Sequence, residues 1–319
     1  MIAKVLGRLR SPRLSRVSVK NTPAEQGLVH PLQAQLLRSF QDETVLEIFL
    51  HGQYSWIERY RDCSTRTLPS PFRTEIEVLD WVQKFARSQL QRLDPARPGA
   101  GGLWHLSNDL MLRWHALIPP ISPEGVVAVF RRHRFESIAL EHFQWPSSHD
   151  RDDCLQWLND RRPLMIFGPT GSGKSSLLSA FLAKTAVHER IAMLESLPEL
   201  PLISPSWFRL SERVANVEGI GAISLEHLVG EALRLSPDRI VVGEIRSLEA
   251  RAFLLGLLSG HGGMMATIHG ATAAEAWSRL CLLAGITLGE LRTQCSEPIR
   301  MVGLTRGNPP RIIQIEDGP

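Results

Sequence analysis

The chain has 319 residues, of which 43% are hydrophobic, so it is long enough for two packed domains and too apolar to be mostly disordered. Its apolar stretches fall short of the roughly 20 residues that a membrane-spanning helix needs, and no hydrophobic signal region follows Met1, which argues against a spanning or exported protein. The net charge is only +3, and the four cysteines lie too far apart for a CxxC zinc pair. We therefore expect free thiols and a cytoplasmic protein.

Residues 1–24 form a basic arm at the start of the chain. Its Lys and Arg residues all precede Glu25, the first acidic residue. They are Lys4, Arg8, Arg10, Arg13, Arg16 and Lys20. The composition favours a solvated tail, although a segment of this charge is also able to contact anionic lipid headgroups or nucleic acid. A peripheral contact with a membrane is therefore an alternative that the sequence leaves open.

Residues 25–140 carry both helical and strand patterns and predict a small α+β domain. The predicted elements are helices over 32–40 and 75–90 and strands over 45–50, 110–117 and 126–130. Residues 94–102 are rich in Pro and Gly, and we expect them to form a loop between the second helix and the later strands.

Residues 141–150 contain Pro146 and two serines and are the predicted linker to a second domain, residues 151–319. In that domain, strand patterns alternate with helical patterns. The predicted strands cover 163–167, 191–194, 239–243 and 264–268, and the predicted helices cover 152–159, 176–187, 225–235, 248–258 and 273–283. Such alternation predicts an α/β fold with a mainly parallel sheet and helices on both faces.

A phosphate-loop motif lies between the first predicted strand of this domain and the helix that follows. Residues 168–175 read GPTGSGKS, in which glycines let backbone N–H groups turn inward around a triphosphate at the start of a helix. The motif predicts ATP as the ligand, with Lys174 on the β and γ phosphates and Ser175 on Mg²⁺. The predicted binding residues are Gly168, Pro169, Thr170, Gly171, Ser172, Gly173, Lys174, Ser175 and Ser176.

A carboxylate follows the apolar strand over 239–243. Glu244 comes directly after Gly243, and in an α/β sheet the ligand lies outside the carboxyl ends of the strands, where the phosphate loop also lies. A glutamate in this position is usually a surface or capping residue. Because it follows a phosphate loop, we predict that Glu244 is the catalytic base that orients or deprotonates the attacking water.

A second strand, over 191–194, also ends in acidic residues. Glu195 and Glu199 follow it, and carboxylates at this edge of the sheet are able to position water or Mg²⁺. We predict catalytic roles for both, with Glu195 as a further metal ligand. An exposed turn with two solvated acids explains the pattern equally well.

Histidines flank the strand over 264–268. His261 precedes it and His269 follows it, and an imidazole near a nucleotide is able to sense the γ-phosphate or to link it to a catalytic carboxylate. We predict such roles for both residues. The alternative is a pair of ordinary loop histidines.

These segments, in this order, resemble the traffic ATPases of the type II and type IV secretion superfamily. The resemblance rests on the phosphate loop, on Glu195, on the run RLSPDRIVVGEIR over 234–246, and on the histidines of GH at 260–261 and TIH at 267–269. The sequence is most similar to the branch that serves type IV secretion and Tad-type pili, and the tetracysteine zinc module of the type II branch is absent from it.

The resemblance implies a PAS-like N-terminal domain followed by a RecA-like ATPase domain. It also implies that Arg113 and Arg131 reach the nucleotide phosphates from the first domain, as arginine fingers do. The expected partners are further copies of the chain, assembled as a hexameric ring, and a platform protein of a bacterial inner membrane. The expected function is an ATP-hydrolysing motor on the cytoplasmic face of that membrane, driving secretion or pilus assembly.

One departure from the family pattern leaves an alternative open. The family carries Glu-Asp where this chain has Glu195 and Ser196, so the chain is alternatively a regulatory subunit that binds nucleotide with weak turnover. A nucleic-acid motor is disfavoured, because no basic stripe with interleaved aromatic residues occurs in the second domain. Nucleic acid is therefore not an expected partner.

Overall fold

The computed structural model describes residues 31–106, 110–133, 138–185, 188–213, 215, 220–295, 297–307 and 309–318. The predicted basic arm, residues 1–24, lies outside these ranges. The chain divides into two compact units, Met1–Arg132 and His133–Pro319. No helix in the described ranges is both long enough and apolar enough to cross a membrane.

The first unit consists of one sheet and two helices. The helices are α1 (Pro31–Gln41) and α2 (Glu75–Ser88), and the strands are β1 (Val45–His51), β2 (Ser55–Tyr60), β3 (Thr65–Leu68), β4 (Gly99–His105), β5 (Met111–Leu117) and β6 (Val127–His133). The strand order is β3-β2-β1-β6-β5-β4. The pairings of β1 with β2 and β6, of β2 with β3, and of β4 with β5 are antiparallel.

Helix α2 packs its aromatic residues against the sheet of the first unit. The hydroxyl of Thr74 caps the helix by accepting a hydrogen bond from the N–H of Glu77. Phe85 contacts Trp104 of β4 and Trp114 of β5, with 4.8 Å between ring centroids in each pair. Alternate strand residues point to this same face, so helix and sheet share one apolar core.

The predicted loop over 94–102 was wrong from Gly99 onward, where β4 begins. Residues Gly99–His105 pair with β5 along their whole length. The glycines are present because the two strands lie close together: a Cβ atom on Gly101 would be 2.6 Å from His115 Nδ1 and 2.9 Å from the carbonyl oxygen of Trp114. Glycine is therefore required at this position by a close approach of backbones, and composition alone misassigned it to a flexible loop.

The second unit has the predicted α/β fold. Its strands are β7 (Leu164–Gly168), β8 (Ile191–Glu195), β9 (Phe208–Ser211), β10 (Arg239–Ile245), β11 (Met265–His269), β12 (Ile299–Thr305) and β13 (Arg311–Gly318), and its helices are α3 (Ser148–Asn159), α4 (Lys174–Leu182), α5 (Leu225–Arg234), α6 (Glu249–Leu258), α7 (Ala273–Ala284) and α8 (Leu288–Gln294). The strand order is β13-β12-β7-β11-β10-β8-β9. All of these pairings are parallel except that of β12 with β13.

The central strands of this sheet are buried on both faces. On β7, Met165 and Phe167 lie in the core formed with α5, α6 and α7, whereas Leu164 and Ile166 lie in the core formed with α3 and α4. This follows from the alternation of side chains along a strand that is covered by helices on each side. The carboxyl ends of the parallel strands consequently meet at one edge of the sheet, where a ligand site is expected.

The sequence patterns did not predict β9, α8, β12 or β13. Strand β12 lies beside β7 in parallel register, and β13 pairs with it to complete a hairpin. A Cβ atom on Gly303 of β12 would overlap the ring of Phe167 on β7. The hairpin therefore packs directly against the strand that leads into the phosphate loop.

The residues before α3 belong to the second unit. A short 3-10 helix, Leu140–His142, precedes α3, and both Leu140 and Phe143 are buried in the core with α3 and α4. The hydroxyl of Ser147 caps α3 by accepting from the N–H of Asp150 (3.1 Å). The boundary between the two units, at Arg132, thus lies before the predicted boundary at residue 140. Much of the predicted linker, residues 141–150, packs into the core of the second unit or caps α3.

Candidate active site

The phosphate loop leaves β7 at Gly168 and enters α4 at Lys174. Gly171 and Gly173 have φ angles of 75° and 94°, in the left-handed region that glycine adopts without strain. Gly173 is also the N-cap of α4, and no side chain caps the helix there. The N–H groups of the first turn of α4 consequently remain available to an anion.

The space behind the loop is closed by neighbouring groups. A Cβ atom on Gly168 would lie 2.6 Å from both the carbonyl oxygen of Leu304 and the hydroxyl oxygen of Ser172. The hydroxyl of Ser172 is buried and has no hydrogen-bond partner within the described part of the chain. The loop is therefore held close to β12.

Lys174 is buried at the base of the loop, with only 8% of its surface exposed. Its Nζ donates to the carbonyl oxygens of Gly168 (3.0 Å) and Pro169 (3.1 Å), and it lies 3.4 Å from Nδ1 of His269. Burial lowers the pKa of Lys174, although the charge of Glu244 opposes the shift. A bound phosphate would stabilise the charged ammonium, so the residues present fit a nucleotide triphosphate.

Glu244 lies where the regular register of β10 breaks. The pairing of β10 with β11 shifts between Val242 and Ile245, and the hydroxyl of Thr267 donates to the carbonyl oxygen of Gly243 (2.6 Å), which ties the two strands together there. Oε1 of Glu244 lies 2.5 Å from Nε2 of His269. The break in register thus brings the predicted base against the histidine that ends β11.

His269 joins Lys174 to Glu244. Burial is the main reason that the pKa of His269 is lowered, with the charge of Lys174 adding to the effect. In the neutral imidazole, the tautomer that leaves Nδ1 as an acceptor for Nζ of Lys174 (3.4 Å) carries its proton on Nε2, which lies 2.5 Å from Oε1 of Glu244. The three residues form one series of close polar contacts.

Glu195 is held by the protein on both carboxylate oxygens. Oε1 accepts from the N–H groups of Glu199 and Leu200 (both 2.9 Å), and Oε2 accepts from Nε of Arg209 (2.9 Å). Burial raises the pKa of Glu195 in spite of these partners. Its Cγ atom would lie 3.1 Å from a Cβ on Gly243, so Glu195 lies next to the turn that carries Glu244.

The structure does not bring His261 to the phosphate loop. His261 precedes β11 and His269 ends it, and β11 runs parallel to β7, which delivers the phosphate loop at its own carboxyl end. Gly262 accordingly lies beside Arg161, before β7, where an added Cβ would be 2.9 Å from the Arg161 carbonyl oxygen. Within one chain, the geometry therefore separates His261 from the predicted constellation.

Arg113 and Arg131 belong to the first unit. Arg113 lies on β5 opposite Leu103, and Arg131 lies on β6 opposite Glu47. The guanidinium of Arg131 is 3.5 Å from the carboxylate of Glu47. Their reach to nucleotide phosphates stays a prediction.

Three further arginines enter the site region, and the sequence reasoning assigned no role to them. Arg306, after β12, donates from Nε to the carbonyl oxygen of Thr170 in the phosphate loop (2.8 Å). Arg209 fixes Glu195, and Arg246 contacts Glu244. Arg246 stands two residues after Glu244 in the sequence, whereas Arg209 lies on β9 and Arg306 follows β12, two strands that the sequence did not predict.

Magnesium is the metal that the phosphate loop implies. The described residues contain no group of three or more His, Cys, Asp or Glu side chains that could hold a metal ion. A phosphate loop needs no such group, because its Ser shares the ion with the phosphates. Ser175 is exposed in the first turn of α4 and fits that role.

Comparisons with known proteins agree with this geometry. A family model described as "Type II/IV secretion system protein" matches residues 106–302, more than half of the chain. A candidate conjugal transfer protein of Mycobacterium tuberculosis (strain CDC 1551 / Oshkosh) is 32% identical over 246 residues, which cover 72% of this chain and 68% of that protein. VirB11 of Rhizobium radiobacter is 34% identical over 154 residues, covering 47% and 43%.

Two solved structures share the fold. The ATPase DotB of Legionella pneumophila aligns with a TM-score of 0.61 and 19% identity, covering 86% of this chain and 76% of DotB. The pilus retraction motor PilT with bound ADP aligns with a TM-score of 0.62 and 18% identity, covering 86% and 79%. At these identities the likeness concerns the fold, and it confirms the predicted fold class.

Proposed function

The chain belongs to the type II/IV secretion system protein family, and from this premise we propose that it is an ATPase that powers a type IV secretion or pilus-assembly machine. The observation that carries the proposal is the series Lys174, His269 and Glu244 beside the phosphate loop. The series joins a phosphate-binding ammonium to a carboxylate that is suited to activating water.

ATP binding uses the loop and its lysine. The triphosphate is bound by the N–H groups between Gly168 and the first turn of α4 and by Nζ of Lys174, which exchanges its carbonyl partners for phosphate oxygens. Mg²⁺, held by Ser175, neutralises phosphate charge when it is bound.

Hydrolysis requires a proton acceptor for the attacking water. As the water oxygen bonds to the γ-phosphorus, its proton passes to the carboxylate of Glu244, and the bond from the γ-phosphorus to the bridging oxygen breaks, so that ADP leaves. His269 holds that carboxylate at 2.5 Å. Because the same imidazole contacts Lys174, loss of the γ-phosphate is transmitted to the base and to β11.

The proposed assembly is a ring of identical chains, expected to be a hexamer, at the cytoplasmic face of a bacterial inner membrane. Arg113 and Arg131 of the first unit are proposed to add phosphate contacts, which hydrolysis would weaken. The motion would act on a membrane platform of a secretion or Tad-like pilus system. Membership of the type II/IV secretion system protein family supports the proposed ring and its work at a membrane platform.

A nucleotide-binding subunit with weak turnover is the second candidate. The observation that favours it is that both oxygens of Glu195 are engaged by the protein, while Ser196 stands where the family carries a second acid. In that case the assembled protein would bind ATP tightly and release phosphate only negligibly, even with membrane partners present. Sustained phosphate release over many turnovers per chain would exclude it.

Replacement of Lys174 tests the proposed ATPase directly. We expect Lys174→Ala to lower kcat/KM for ATP by on the order of 100-fold or more, since it removes a cation that stabilises phosphate charge in a buried site. Phosphate release by the purified full chain with Mg²⁺ and ATP is the measurement. Lys184→Ala is the matched control, because Lys184 is 45% exposed and its nearest acid, Glu141, is 3.8 Å away. Hydrolysis by Lys174→Ala at the wild-type rate would exclude the mechanism.

A further inference from the structure

Arg246 contacts the predicted base from the turn that follows β10. Its Nε donates to Oε2 of Glu244 (2.6 Å), and its Nη2 donates to the same oxygen. The other oxygen, Oε1, lies 2.5 Å from Nε2 of His269. The two oxygens of one carboxylate therefore have different partners.

The two oxygens also differ in how many further hydrogen bonds each is able to accept. A carboxylate oxygen accepts about two hydrogen bonds, so Oε2 is saturated by the two N–H groups of Arg246. Oε1 accepts nothing from Arg246 and retains capacity for a further hydrogen bond. Oε1 lies against His269, whose other nitrogen contacts Lys174, so the available position is on the oxygen that faces His269.

The turn that carries Arg246 is fixed independently of this contact. Glu249 is buried, and its Oε1 accepts from the N–H groups of Arg246 (2.5 Å) and Ser247 (2.8 Å). The main chain at Arg246 is thus held at the start of α6, whereas its side chain is 53% exposed. The location of the guanidinium follows from the fold, and its removal would leave the turn with its own support.

The geometry points to Arg246 as a positioning residue for Glu244, which occupies Oε2 so that Oε1 takes the proton of the attacking water. The inference rests on the proposed ATPase function. In the step itself, the water oxygen bonds to the γ-phosphorus, its proton moves to Oε1, and ADP leaves as the bond to the bridging oxygen breaks. Arg246 contacts the base and acts through it.

Arg246→Ala should therefore affect turnover and spare binding. We expect kcat for ATP to fall on the order of 100-fold, the loss typical of a misplaced catalytic group, with the Kd for ATP unchanged. Arg246→Lys should recover part of kcat, because one ammonium restores the charge without the planar pair of donors. Arg251→Ala is the matched control, since it removes an exposed arginine from α6 and should leave kcat unchanged.

A double-mutant cycle separates this role from a direct contact with phosphate. In the Glu244→Gln background there is no carboxylate to orient, so adding Arg246→Ala should leave the residual kcat unchanged. An equal fold-loss in both backgrounds, a loss confined to the Kd, or wild-type kcat in Arg246→Ala would each overturn the inference. Should Arg246→Ala not fold, Arg246→Gln takes its place in the cycle. Absence of turnover in the wild-type chain would instead refute the ATPase function itself.

Discussion

At the scale of single residues, His269 connects nucleotide binding to catalysis because each ring nitrogen serves a different neighbour. Its Nδ1 lies 3.4 Å from Nζ of Lys174, and its Nε2 lies 2.5 Å from Oε1 of Glu244. Protonation of Nδ1 would remove the acceptor and place a second positive charge beside Lys174. The lowered pKa of His269, caused first by burial, keeps the ring neutral to a lower pH than usual.

This assignment predicts an acid limb in the pH profile of kcat. Because the pKa of His269 lies below its ordinary value of 6.5, the midpoint of the acid limb of kcat should lie below pH 6.5, where the ring gains its proton. His269→Gln, whose amide does not titrate, should be slower at every pH and should lack that limb. An unchanged acid limb in His269→Gln would show that another group is responsible.

At the scale of secondary-structure elements, β4 contains a glycine that allows the strand to pack closely against β5. Two neighbouring glycines of β4 differ in the space around an added Cβ atom. A Cβ on Gly101 would lie 2.9 Å from the backbone oxygen of Trp114, whereas a Cβ on Gly102 would meet nothing closer than 3.5 Å. Position 101 is therefore closed to a side chain and position 102 is open.

Substitution at these two positions tests the packing of β4. We expect Gly101→Ala to lower the free energy of unfolding by about 1–3 kcal/mol, because backbone and ring atoms must shift to admit the methyl group. Gly102→Ala is the matched control and should change it by much less. Urea unfolding of both variants is the measurement, and equal stability of the two would contradict the described register of β4 and β5.

Hydrophobic patterns predicted several of the elements whose own side chains are apolar and buried. The apolar runs of β7, β10 and β11 predicted the parallel sheet, and the strand ends then located Lys174 and Glu244. Strand β4 was missed because its glycines follow from the approach of β5. The contact of Arg306 with Thr170 was missed because it depends on the pairing of β12 with β7, which no local pattern encodes.

At the scale of the whole molecule, each unit has its own core, and the series of contacts among Lys174, His269 and Glu244 lies entirely in the second unit. These residues come from α4, β11 and β10. In the proposed motor, ATP is hydrolysed in the second unit. Such a motor binds ATP and hydrolyses it in separate steps. A variant that lacks the catalytic base should therefore still bind ATP but fail to hydrolyse it.

The most direct test of the account is phosphate release by Glu244→Gln, measured beside wild type with the Kd for ATP determined on the same samples. The amide retains the size of the side chain but cannot take a proton from water. We predict a kcat lower by about 100- to 10,000-fold, the usual contribution of a positioned base, with an ATP affinity close to that of wild type. Wild-type phosphate release by Glu244→Gln would contradict the central claim that Glu244 activates water for ATP hydrolysis.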